Sequence, residues 1–123
     1  MSIPKEPPRV KDISSLWEPF RQRVELLLTR MRSRGYDPVI FEAKRTRERQ
    51  QWLYGFGRTH HLASRPVTWT LDSRHIPGKA VDIISKSRGW QYTAFYLALR
   101  EEAERIPGLR VLWIEACHVE WTG

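Results

Sequence analysis

The segment that most constrains this chain is SRHIPGKAVDII, Ser73 to Ile84, where an aspartate interrupts an otherwise apolar run. Ala80, Val81, Ile83 and Ile84 read as a β-strand, and successive residues of a strand point to opposite faces. Asp82 therefore shares a face with Ala80 and Ile84, while Val81 and Ile83 take the other. Aspartate is rarely buried without a partner, so Asp82 either caps or pairs with a neighbour, or holds a cation. The Pro77-Gly78 turn lets the chain fold back, which brings His75 alongside the strand.

The chain has 123 residues, enough for one domain. At 41% hydrophobic residues, with six Trp, it can bury a core and is not a disordered polymer. A single cysteine, Cys117, excludes an internal disulfide framework. The N-terminal MSIPKEPPRVKD lacks an apolar segment, so no signal peptide is expected, and no window reaches the length of a membrane span. Synthesis in the cytoplasm follows from that reading. The net charge of +7 favours an anionic partner, for which nucleic acid and a polyanionic cell envelope serve equally.

Along the chain, residues 1–11 read as a flexible or extended arm, because Pro4, Pro7 and Pro8 discourage regular structure. Residues 12–123 form the single domain. Ile13, Leu16, Trp17, Phe20, Val24, Leu27, Leu28 and Met31 fall at helical spacing between Asp12 and Arg34. Ser15 with Glu18 resembles a capping box, although Pro19 suits a helix beginning there after a short turn. Gly35 is a natural stop. PVIFEA reads as a strand, and TRERQQWLYGFG as a helix capped by Thr46. The segment after it is loop-like, with a short strand at Val67 to Trp69. Trp90 to Arg105 predict a helix with Tyr92, Phe95, Tyr96, Leu99 and Ala103 inward. LRVLWIE is a strand, and HVEW either extends it or returns as another. Helices bracketing a few hairpin-like strands indicate an α+β domain.

Three groups could carry chemistry. His75, Asp82 and His118 are a nitrogen and oxygen donor set that suits Zn²⁺ and leaves a fourth position open. The commoner meaning of such a set is an ion pair or a hydrogen-bonded core histidine, and both readings stand at this point. In EACH, Glu115 could act as general base beside a metal-bound water if the chain bends there. A solvated glutamate at a strand end is the commoner case. Arg45 precedes a helix N-cap, where a cationic fork could stabilise an oxyanion, yet the charge-rich run Lys44 to Arg49 reads first as a solvated helix start. Cys117, as the strand neighbour of His118, is expected to point away from it as a small buried residue. His60 and His61 read as loop or cleft-rim residues. Trp113 and Trp121 suit core packing, with a cleft wall as the second role.

Taken together and in order, these pieces resemble the M15 metallopeptidases, the LAS group of D-Ala-D-Ala carboxypeptidases, dipeptidases and phage L-alanyl-D-glutamate endopeptidases. The group's motif S-x-H-x-x-G-x-A-x-D is complete in Ser73, His75, Gly78, Ala80 and Asp82, and EACHVE matches its second motif. Upstream, Arg45, Thr46, Gln50, Leu53, Tyr54, Gly57, Arg58, Thr59, Val67 and Thr68 match the endolysin-like members. The resemblance runs from about Gly35 to Trp121. Ile76-Pro77 and Cys117 depart from the common pattern without removing a ligand.

The resemblance implies roles. His75, Asp82 and His118 would bind one zinc per chain, and Glu115 would be the catalytic base. Arg45 would contact the substrate carbonyl and oxyanion, and Ser73 would line the substrate site. It also implies a small α+β domain with a mainly antiparallel sheet flanked by helices. The implied activity is a peptidoglycan peptidase, an endolysin cutting the stem peptide between L-alanine and D-glutamate after holin-type release. A monomer without a nucleic-acid partner is expected. The alternatives are a D-Ala-D-Ala carboxypeptidase or dipeptidase of the same group, a basic metal-dependent nuclease, and a wall-binding module that keeps zinc for structure.

Overall fold

A computed structural model describes residues 5–68, 71, 73–112 and 116–122. A 3-10 turn over Ile13–Ser15 leads into helix α1, Glu18–Ser33, which is followed by strand β1, Pro38–Glu42, and helix α2, Arg47–Gly55. After a long loop come strand β2, Ala80–Ser85, helix α3, Thr93–Glu104, and strands β3, Leu109–Val111, and β4, His118–Trp121. The strands form one sheet in the order β1-β2-β4-β3, with every neighbouring pair antiparallel. This is the expected α+β fold. HVEW returns as a separate strand, inserted between β2 and β3.

Helix α1 buries Phe20, Val24, Leu27, Leu28 and Met31, the stripe that its periodicity predicts. These side chains meet Phe95, Leu99 and Ala103 of α3 and Val81 and Ile83 of β2 in one core. Val81 and Ile83 thus face the helices, which leaves Asp82 to the opposite face. Helix α3 begins three residues later than predicted. Tyr92 is its N-cap, and Trp90 lies outside it, half-exposed.

The start of α1 differs from the capping-box reading. Trp17 occupies the N-cap with no side-chain hydrogen bond, and Pro19 lies in the first turn. Ser15 instead donates to the Asp12 carbonyl at 2.6 Å and accepts from the Lys44 amide at 3.3 Å. Asp12 is the residue that caps, accepting from the Ser14 amide at 2.9 Å. Leu16 has an extended backbone, which separates the 3-10 turn from the helix and takes Ser15 out of register for capping. Thr46 caps α2 as predicted, accepting from the Arg49 amide at 3.1 Å. No strand forms at Val67 or Thr68, and Trp69 lies outside the described residues.

Two features position the site. Gly78 has φ +74°, and a Cβ there would stand 3.0 Å from the Trp17 nitrogen and 3.1 Å from the Ser15 carbonyl oxygen. The Trp17 amide donates to the Gly78 carbonyl at 3.0 Å, so the turn before β2 is pinned against the entry to α1. Glycine is needed there for both its left-handed backbone and its missing side chain. The second feature is a bulge in β1 between Ile40 and Glu42. It brings Glu42 opposite Asp82, which is itself opposite His118 on β4. Bulges re-aim side chains beside functional sites, and this one lines up three polar groups across three strands.

Candidate metal centre and cleft

Asp82 stands in the middle of that row. Its Oδ1 lies 3.3 Å from His75 Nε2 and 3.4 Å from His118 Nδ1. One donor atom from each of the three residues lies within 4.8 Å of the others. His75 is fully buried, and its Nε2 is a buried polar atom with no hydrogen-bond partner. An unpaired buried donor or acceptor costs about 1–3 kcal/mol, so this atom fits a ligand.

The second nitrogen of each imidazole is already committed. His75 Nδ1 donates to the Ala43 carbonyl at 2.9 Å, and His118 Nε2 to Glu120 Oε1 at 2.9 Å. Metal-binding histidines characteristically donate their other N–H to a carbonyl or carboxylate, which sets the tautomer and the ring orientation. These bonds present His75 Nε2 and His118 Nδ1 toward Asp82. Two imidazoles and a carboxylate with satisfied outer partners fit a zinc ion with an open position.

Burial pushes the Asp82 carboxyl up, but the His118 and His75 imidazoles beside it outweigh that and hold the group well below the usual carboxylate range. Glu120 is likewise held low, because Arg110 and His118 offset the burial that would raise it. Glu120 contributes stability that is fully present above its unfolded pKa of 4.5 and is lost as pH falls toward its depressed folded value. Replacing it by Gln is expected to remove that part of the acid sensitivity. An acid-unfolding curve followed by circular dichroism checks this, and an unchanged slope as pH falls below 4.5 would contradict it.

Arg45 is not a solvated residue of a helix start; only 9% of it is exposed. Its Nε and Nη2 donate to Glu42 Oε1 at 3.0 and 2.6 Å, and Nη1 donates to Gln50 Oε1 at 2.8 Å. Nη2 lies 3.7 Å from Asp82 Oδ2. Gln50 in turn donates to the Thr68 hydroxyl at 3.4 Å. Arg49 is buried too, donating from Nε to Glu42 Oε2. Glu42, 1% exposed, thus anchors two guanidinium groups, so this buried carboxylate is paired rather than isolated.

A cleft of about 620 Å³ opens over these groups, with Arg45, Ser73, His75, Asp82 and His118 in its wall and Trp90 among its apolar residues. Ser73 accepts from the His75 amide at 3.1 Å. Cys117 departs from expectation. It lies in the turn preceding β4, partly exposed, and lines the cleft, because the strand alternation that would turn it away begins only at His118. Glu115 and Trp113 lie outside the described residues. Trp121 packs edge-on against Trp17 at 5.4 Å and is absent from the cleft wall. His60 donates from Nε2 to the Trp52 carbonyl at 2.8 Å, and His61 stacks on Phe56 at 4.6 Å. Neither lines the cleft.

No family model and no curated protein matches the chain. Solved structures do. The vancomycin-resistance D,D-pentapeptidase VanY, solved in complex with Zn(II), aligns with a TM-score of 0.72 at 20% identity, over 98% of this chain and 83% of its own. The L-Ala D-Glu endopeptidase ChiX of Serratia marcescens aligns with a TM-score of 0.61 at 22% identity, over 94% and 90%. The LD-carboxypeptidase LdcB aligns with a TM-score of 0.68 at 17% identity, over 88% of this chain. The chain spans 59% of the length of LdcB. At these identities the likeness establishes the fold.

Proposed function

We propose that the chain is a zinc-dependent peptidase of bacterial peptidoglycan, and that it cuts the stem peptide between L-alanine and D-glutamate. The observation that carries this reading is the His75–Asp82–His118 cluster in the wall of a cleft, with a buried, unpartnered His75 Nε2 beside Asp82. The shared fold supports it, since similar structures include an LD-carboxypeptidase, an L-Ala D-Glu endopeptidase and a D,D-pentapeptidase. The ordered match to the endolysin-like motifs favours the L-alanyl bond.

Zinc held by His75 Nε2, Asp82 and His118 Nδ1 would supply Lewis acidity and bring the pKa of water near neutrality. The chain's own residues do the rest. Glu115 takes the proton of the attacking water and returns it to the leaving amine. Arg45, whose orientation is set by Glu42 and Gln50, has N–H groups left over for the substrate oxygen as charge builds on it. Asp82 would be the anionic donor of the three, facing both imidazoles, whose orientation is set by the Ala43 carbonyl and Glu120. Ser73 fixes the His75 backbone and offers a hydroxyl to substrate in the cleft. The +7 charge draws the enzyme to an anionic wall and to the carboxylates of the stem peptide. Release from the host cytoplasm by a holin, as a phage lysis enzyme, belongs to the same proposal.

Digestion of purified sacculi with identification of new termini tests the bond. Fresh C-terminal L-alanine paired with N-terminal D-glutamate is expected. Free D-alanine without new L-alanine termini would move the assignment to a D-Ala-D-Ala carboxypeptidase or dipeptidase, which the likeness to VanY also suits. Intact sacculi together with Mg²⁺-dependent cutting of DNA would overturn the peptidase reading.

A further inference from the structure

The N-terminal arm touches the supports of both halves of the site. Residues 5–12 have no regular secondary structure, but four contacts, to Arg49, Ala43 and Phe41, hold them beside β1 and α2. Arg49 Nη1 donates to Glu6 Oε1 and to the Pro7 carbonyl, both at 2.9 Å. The Ala43 amide donates to the Val10 carbonyl at 2.7 Å. The Arg9 guanidinium lies 3.8 Å from the centroid of Phe41, whose ring packs edge-on against Trp90 at 4.8 Å.

Two of these contacts lead inward by single steps. Arg49 shares the Glu42 carboxylate with Arg45, so Glu6 and Pro7 act on the guanidinium beside Asp82 through Arg49 and Glu42. Ala43 is the residue whose carbonyl accepts from His75 Nδ1, and the Arg45 amide donates to the His75 carbonyl at 2.8 Å. Val10 therefore anchors the peptide segment that orients His75. Without the arm, the Ala43 N–H and part of the Arg49 guanidinium would turn to water, and the 42–45 segment would lose its outer support.

We propose that residues 6–10 are a positioning element for the site: Val10 holds the Ala43–His75 contact in register, and Glu6 with Pro7 holds Arg45 through Arg49 and Glu42. This inference rests on the function proposed above. It divides the arm into two parts with separable effects, one on metal affinity and one on turnover.

The test compares the full chain with a variant lacking residues 1–10 and with Glu6→Ala. Zinc affinity is measured by competition with a chromophoric chelator, and kcat and KM are measured on a soluble stem peptide. Loss of an outer-shell support characteristically lowers metal affinity or activity by about 10–100-fold. The truncated chain is expected near the lower end of that range in both zinc affinity and kcat, with KM little changed. A synthetic peptide of residues 1–12 added in trans restores both. Glu6→Ala, at a half-exposed ion pair, is expected to lower kcat by about two- to fivefold, the range of such a pair, and to leave zinc affinity as it was. A folded truncated chain with unchanged zinc affinity and kcat overturns the proposal. If the truncated chain does not fold, an unchanged kcat in Glu6→Ala overturns it instead. A full-length chain that binds no zinc or cleaves no stem peptide sinks the functional reading, a different result from either.

Discussion

Replacing Glu115 by alanine is expected to lower stem-peptide turnover by about 10²–10⁴-fold, the range for a positioned general base, while one zinc per chain is retained. The separation is expected because, among the described residues, His75, Asp82 and His118 form a three-donor cluster by themselves. Loss of the base leaves the Lewis acid and Arg45 in place, so the fall should appear in kcat with little change in KM. Kinetics on a defined stem peptide, together with metal analysis of the same preparation, check the prediction. Unchanged turnover would remove Glu115 from the mechanism, and lost zinc would make it a ligand.

The second large effect is expected at Asp82. Asp82→Asn keeps the shape of the side chain but removes the only anionic ligand of the set. Zinc affinity should fall by more than about a hundredfold, the upper end of what losing even an outer-shell partner costs. Zinc at 100 times its dissociation constant stabilises a folded protein by about 2.7 kcal/mol. The wild-type melting temperature should accordingly rise on adding zinc, and that of Asp82→Asn should not. The metal-free forms provide the control. In the wild type, Asp82 lies 3.3 and 3.4 Å from the two imidazoles and 3.7 Å from Arg45, contacts that an amide oxygen partly reproduces. The metal-free variant should therefore fold. A zinc-dependent rise equal to that of the wild type would contradict the role assigned to this aspartate.

Parts of this site were legible from residue order because they follow local rules. Asp82 stood out in an apolar strand, and strand alternation placed it away from Val81 and Ile83, which the structure buries in the core. Thr46 announced the start of α2. The glycine of the zinc motif is explained by the close approach of the Trp17 backbone, a contact 61 residues away in sequence that no local pattern reveals.

What escaped the sequence depended on partners brought together by the fold. By residue type alone Arg45 and Arg49 read as a solvated charge run, and only the resemblance singles out Arg45, because their partner, Glu42, reads as an ordinary strand-end residue until the β1 bulge turns it beside Asp82. Charge-rich segments beside a candidate cleft can thus be buried networks, and a glutamate on the preceding strand is the available signal. Glu120 was visible only as part of EACHVE, and its bond to His118 needs the strand geometry to appear. Cys117 was misplaced because β4 starts one residue later than the alternation argument required. The Ser15 box failed where the backbone becomes extended at Leu16.

The central claim is that His75, Asp82 and His118, from the turn before β2, β2 itself and β4, would together hold one zinc ion. Anomalous diffraction at the zinc edge, on crystals grown with one equivalent of zinc, tests it most directly. The account predicts a single peak bonded to His75 Nε2, Asp82 and His118 Nδ1. A peak that leaves Asp82 uncoordinated, or a zinc bound elsewhere on the chain, would contradict it.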